Sequence, residues 1–211
     1  MHPAPRIAAV VLAAGRSTRM AGCNKLLAGL GGIALVRHAA QAAVAAGLAP
    51  VVAVTGNAAA QVEAALAGLP LRAVHNPDFA AGLASSVRTG VQALGGAAGA
   101  AADGAVFLLG DMPLLRAAHL LRLMQAFADA PAPAICVPTY GGRRGNPVLW
   151  SAAYFPRLAE LAGDRGARVL FEEYAAHLVE VPMPDDAVLV DIDTDAALEQ
   201  VRARFAAQPH G

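Results

Sequence analysis

The stretch VVLAAGRSTRMAGCNKLL, Val10 to Leu27, decides how the rest of the chain is read. Its apolar run stops at Ala13-Ala14-Gly15, and a loop carrying Arg16, Arg19 and Lys25 follows at once. A continuous apolar run of this kind reads as a strand buried on both faces. Three cations and a glycine directly behind it suit an anion with several charges. Backbone amides around Ala14, Gly15 and Arg16 can form a nest, with Gly15 permitting close approach. Arginine then offers a fork and lysine a point charge. An ordinary solvated loop with scattered basic residues is the competing reading. The segment matches neither GxxxxGK[ST] nor GxGxxG, which excludes the two best-known phosphate loops.

Outward from this strand the segments alternate in type. The run Arg6–Ala14 reads as a strand and Ala34–Gly47 as a helix ended by glycine. The next strands are 50–56, 71–75, 104–111 and 132–138, with helices over 58–68, 82–94 and 114–130 between them. Buried strands alternating with helices imply a largely parallel sheet covered on both faces, a doubly wound, three-layer α/β/α Rossmann-like fold. After Pro138 the rhythm changes. GGRRGNPVLW (141–150) is a loop running into a short strand, and LAELAGDRGARVLFEEY (158–174) is helix, loop and helix. LVEVPMP and AVLVDID are short strands before a last helix, Thr194 to Phe205. LGGAAGAAADG, Leu94 to Gly104, reads as a surface loop. One domain over 1–211 is expected.

Composition narrows the function classes. The 211 residues are 56% hydrophobic and 15% charged, with a formal net charge of +0. This is a globular chain without the broad basic footprint of a nucleic-acid binder. No apolar run approaches the roughly 18 to 20 residues of a membrane helix, and no signal-peptide pattern precedes the first strand. Cys23 and Cys136 form no CxxC pair and no cluster with histidine, so a reduced cytoplasmic setting is expected and a zinc site is not. Cys23 beside Lys25 reads either as a reactive thiol or as a passive filler.

In such folds ligands bind at the carboxyl ends of the strands, here the loops after Ala13, Thr55, His75 and Gly110. Asp111, in FLLGDMP, stands where a Mg²⁺ ligand would stand, or it caps the following helix. VLVDID is read as a strand that turns Asp191 and Asp193 to opposite faces, so that one of them alone is expected in a site; helix capping by Asp193 or Thr194 is the alternative. Asn76, Ser85 and Ser86 suit either a nucleotide's sugar or phosphate, or turn and cap chemistry. GGRRGNPVLW is either a hairpin or a lip over an anionic second substrate.

Taken together, LAAGRSTRMAGCNKLL resembles the LAAGxSxRMGGxxKxL signature of the MobA-like nucleotidyltransferases, within the superfamily of glycosyltransferase-A-type fold. GDMPL, RGNPVLW, LAGDRGAR and DIDTDAAL follow in the expected order, from about Ile7 to Leu198. Ala21 stands where the family often has the first Gly of RMGG. The pattern is most similar to the molybdenum cofactor cytidylyltransferase branch, which joins CTP to a molybdopterin-type cofactor and releases pyrophosphate. The resemblance implies catalytic roles for Arg19, Lys25 and Asp111. It implies nucleotide contacts from Leu12, Ala13, Ala14, Gly15, Arg16, Ser17, Thr55, Gly56, Asn76, Ser86 and Asp111, and acceptor contacts from Arg144, Asn146 and Pro147. Mg²⁺, with Mn²⁺ as the alternative, would sit on Asp111 and Asp193. A recipient molybdoenzyme or its maturation chaperone would be the protein partner. A guanylyltransferase on the same cofactor, a cytidylyltransferase for another phosphate and a non-catalytic carrier are the rival readings.

Overall fold

The computed structural model describes residues 4–15, 24–95, 102–164 and 166–207. Strand β1 (Ile7–Ala13) is buried along its whole length. Ile7, Ala9, Val11 and Ala13 face one core, and Ala8, Val10 and Leu12 the other, the period of two that an extended chain imposes. A small antiparallel hairpin, β2 (Gly29–Leu30) and β3 (Ile33–Ala34), leads into α1 (Leu35–Ala45). Then follow β4 (Val51–Thr55), α2 (Ala59–Leu66), β5 (Arg72–His75), α3 (Leu83–Gly95), β6 (Gly104–Leu109), α4 (Ala117–Asp129) and β7 (Ile135–Tyr140). The remainder comprises β8 (Arg143–Arg144), β9 (Val148–Ser151), α5 (Phe155–Ala159), β10 (Leu178–Pro182) and α6 (Asp195–Ala207).

The main sheet runs β10-β7-β9-β6-β1-β4-β5, with β8 paired to β7. Strands β6, β1, β4 and β5 are parallel, and β9 runs antiparallel between β6 and β7. Helices α1, α2 and α4 cover one face; α3 and α5 cover the other. The three-layer, mostly parallel architecture expected from the alternation is therefore present. Helix α3 lies close on β1 because Gly90 faces Val10: a Cβ there would stand 2.5 Å from Val10 Cγ1.

From β1 the chain winds outward to β4 and β5, then crosses to β6 on the other side of β1. The switch point thus falls between β1 and β6, where open α/β sheets place their ligands. The two carboxyl ends are tied together: the Gly110 amide donates to the Leu12 carbonyl at 3.0 Å.

Two expectations fail locally. Residues 187–193 form no strand; a 3-10 turn, Asp186–Leu189, precedes an extended segment. Ile192 sinks there into a small core with Leu30, Leu35, Leu198 and Val201, so side-chain burial rather than a ladder holds the segment. The second half of 158–174 is a 3-10 turn, Gly166–Leu170, not a helix. Gly163 and Gly166, at φ of +78° and +58°, interrupt the helical path before it. Of the expected loop 94–104, residues 96–101 lie outside the described residues. Among the described residues, no helix is long and apolar enough to cross a membrane.

Candidate active site

Asp111 lies two residues beyond the end of β6, at the switch point. It does not cap α4, which starts at Ala117 behind an Arg116 cap. Lys25 opens a short 3-10 turn whose neighbour Leu26 is buried and whose cap, Asn24, accepts from the Leu26 amide at 3.1 Å. The Lys25 Nζ lies 2.5 Å from Asp111 Oδ2 and 2.6 Å from Asp193 Oδ1. Thr194 accepts from the Ala197 amide at 3.2 Å at the start of α6, while the Asp193 carboxylate meets Lys25 in the cluster.

Asp191 also reaches it. One carboxylate oxygen from each of Asp111, Asp191 and Asp193 lies within 4.8 Å of the others. The expectation that only one of Asp191 and Asp193 joins a site is overturned. Residues two apart in an extended chain share a face, and here the intervening Ile192 turns the opposite way into the core.

Three carboxylates around one ammonium leave an excess of negative charge, and both partners respond. Burial alone would lower the Lys25 ammonium, but the Asp111 charge, with help from Asp193, reverses the effect and raises it. Burial pushes the Asp111 carboxyl up against the pull of Lys25, and the Asp191 charge adds to the push. Among the described residues, Asp111 Oδ1 is buried without a hydrogen-bond partner. An orphaned carboxylate oxygen is costly, and a hard divalent cation is the ligand that an all-oxygen set with such an orphan suits.

A cleft of about 420 Å³ opens beside the cluster, walled by Leu12, Ala14, Gly15, Lys25, Ser86, Asp111 and Asp164, among others. Several residues expected in the nucleotide site stand behind its wall instead. Ala13 is fully buried in the sheet. Thr55 is also fully buried and spends its hydroxyl on Glu63 Oε1 at 3.0 Å. Gly56 packs against Ala14 and Phe79, where a Cβ would clash with both. Asn76, 1% exposed, donates to Ser85 Oγ at 2.9 Å and Ser86 Oγ at 3.1 Å. It therefore sets Ser86, which does line the cleft, rather than lining it. Arg16, Ser17, Arg19 and Cys23 lie outside the described residues.

A second cavity, of about 200 Å³, is lined by Arg143, Arg144, Asn146, Arg168 and Asp191. Arg144 also pairs with Glu180 at 2.7 Å. Gly145 allows this wall to form, because a Cβ would run into the Val188 carbonyl; the Asn146 amide donates to that same carbonyl at 2.9 Å. Pro147 is buried and is not part of the wall. Asn146 and Arg168 also border a smaller apolar slot with Phe107, Trp150 and Phe171. Arg143, Asp164 and Arg168 carry no individual expectation, but Arg143 falls within GGRRGNPVLW, one reading of which is a lip over an anionic substrate, and Asp164 and Arg168 fall within LAGDRGAR.

A doubly wound sheet with an acid cluster and an anion-sized cleft at its switch point suits a nucleotidyltransferase. The model of the MobA-like NTP transferase domain matches residues 9–179, and the chain belongs to that family. It is 33% identical to the purine catabolism protein PucB of Bacillus subtilis, over 94% of this chain and 97% of that one. It is 43% identical to the bifunctional protein GlmU of an Anaeromyxobacter strain over 61% of its own length. The chain spans only about a quarter of the length of such GlmU relatives, 26% and 28% for two of them. A solved nucleotidyl transferase from Methanothermobacter, Mth528, superposes with a TM-score of 0.82 at 27% identity, over 95% of this chain and 98% of that one. The manganese complex of Rv0371c from Mycobacterium tuberculosis gives 0.75 at 28% identity, over 94% and 98%.

Proposed function

We propose that the protein transfers CMP from CTP to the terminal phosphate of a molybdopterin-type cofactor and releases pyrophosphate. The carrying observation is the position of the acid cluster between two cavities, Lys25 and Asp111 bordering the larger and Asp191 the arginine-lined one. The nucleotide occupies the larger cleft, served by the part of the chain over about 6–115. The acceptor's phosphate occupies the arginine-lined cavity, served by about 116–195, with Arg144 and Asn146 at its wall. Asp111, Asp191 and Asp193 would hold Mg²⁺, with Mn²⁺ as the alternative, and the ion would neutralise phosphate charge when bound. The manganese found with Rv0371c supports this choice.

A phosphate monoester is already a nucleophile near neutral pH, so no general base is required. Its oxygen attacks the α-phosphorus of CTP; the new P–O bond forms as the α–β bridge breaks, and pyrophosphate carries away the electron pair. The protein's part is alignment of two polyanions and neutralisation of their charge. The amides near Ala14 and Gly15 bind phosphate oxygens, Lys25 offsets the charge on the leaving group, and Arg19 would add to it. Cytoplasmic location and delivery to a molybdoenzyme or its chaperone complete the reading.

The test is pyrophosphate release with Mg²⁺, offering CTP, GTP, ATP and UTP separately, each with and without the molybdenum cofactor. Release that needs CTP and cofactor together supports the assignment. Release with GTP alone moves the protein to guanylyl transfer with the same chemistry. No release with any nucleotide refutes it.

A further inference from the structure

Fifteen of the sixteen basic residues in the chain are arginines; Lys25 is its only lysine. That single ammonium sits inside the acid cluster, within hydrogen-bond distance of Asp111 Oδ2 and Asp193 Oδ1. A bound cation would draw on the same carboxylates. An ammonium and a dication compete for them in a half-buried site, because their repulsion is weakly screened there. Asp111 Oδ1, meanwhile, has no partner among the described residues, so the ammonium satisfies the cluster only in part.

We propose that Lys25 is the resident counter-ion of the Asp111–Asp191–Asp193 cage and is expelled into the neighbouring cleft when a divalent cation enters. The inference rests on the reading of the cage as a divalent-cation site. Leu26, 3% exposed, anchors the turn, so the lysine stem can swing while its backbone stays in place. The cleft that Lys25 already borders also contains Gly15, at the mouth of the expected phosphate nest. Metal loading would therefore deliver the ammonium to the nucleotide's phosphates, and each ligand would strengthen binding of the other. This accounts for a lysine in a chain that otherwise uses arginine. A compact charge on a flexible stem can enter and leave a cage built for one ion, whereas a planar guanidinium fork is too wide and spreads its charge over several donors.

The experiment is Mn²⁺ titration without nucleotide, following free Mn²⁺ by electron paramagnetic resonance, for wild type, Lys25→Met and Asp111→Asn. Removal of the internal competitor is expected to tighten Mn²⁺ binding by about tenfold or more, and Asp111→Asn to weaken it. Equal or weaker binding in Lys25→Met, with binding that still depends on Asp111, overturns the exchange and leaves the metal site standing. Absence of Asp111-dependent binding overturns both. A second readout uses the unmutated chain, so that misfolding of a variant cannot decide the matter. Acetylation of Lys25 by an activated ester, followed by peptide mass spectrometry, is expected to accelerate severalfold on addition of Mg²⁺. An unchanged rate at saturating Mg²⁺ overturns the proposal.

Discussion

The amide of Ile192 donates to the carbonyl of Asp111 at 3.0 Å. One hydrogen bond thus joins the end of β6 to a segment far along the chain and sets two further carboxylates beside the first. The Ile192 side chain, fully buried between α6 and the β2–β3 hairpin, keeps the register. The acid cluster is therefore built on a core residue, and its geometry depends on packing it does not itself touch.

Ile192→Ala is accordingly expected to cost about 2–5 kcal/mol of stability, the usual range for a buried aliphatic truncation. It should also weaken Mn²⁺ binding although no carboxylate is changed. Thermal melts and Mn²⁺ titration check the two halves separately. Full destabilisation with wild-type Mn²⁺ affinity would show that Asp191 and Asp193 are held by something else.

Lys25→Ala is expected to lower turnover by about 10²-fold at saturating metal and nucleotide, by analogy with loss of one transition-state donor. Single-turnover kinetics separate this from weaker nucleotide binding. Wild-type turnover would remove Lys25 from the catalytic set.

Much of this arrangement was legible in the sequence, for identifiable reasons. Strand β1 and the loops at its carboxyl end are visible because a doubly buried strand needs a continuous apolar run. Asp111 is visible because it follows such a run directly. The side-chain directions of Thr55 and Asn76 were not legible: Glu63 and the Ser85–Ser86 pair claim them, and those partnerships are tertiary. The Asp191–Asp193 pair was misread because a strand was assumed and its periodicity misapplied, while Ile192 chose the face. Arg143, Asp164 and Arg168 fall within GGRRGNPVLW and LAGDRGAR, but the cavity each of them lines exists only once distant segments are packed together.

Gly145→Ala tests the wall of the arginine-lined cavity. The added methyl meets the Val188 carbonyl, so the loop must shift, at a cost of about 1–3 kcal/mol. The KM for the phosphate acceptor is expected to rise about tenfold or more, on the scale of a lost well-placed contact, with the nucleotide KM nearly unchanged. Equal changes in both would mean that the cavity does not belong to the acceptor alone.

The last prediction concerns pH. His119, 1% exposed at the start of α4, accepts from the Arg116 amide through Nδ1 at 3.0 Å. That contact fixes the neutral tautomer, leaving Nε2–H to donate to Asp185 Oδ1 at 3.1 Å. Burial holds the imidazole below its ordinary range against the pull of the Asp185 charge, and a second proton would have to face the Arg116 amide. A pKa below its unfolded value gives stability that is fully present above about pH 6.5. It is lost as pH falls through the folded value, because the unfolded chain takes up the proton first. The wild-type Tm should therefore fall from pH 6.5 towards pH 5, and His119→Gln should start lower but lose this part of the slope. Comparing the two melting profiles isolates His119 from the carboxylates, which remain in both. Parallel profiles over that window would assign the slope to other groups.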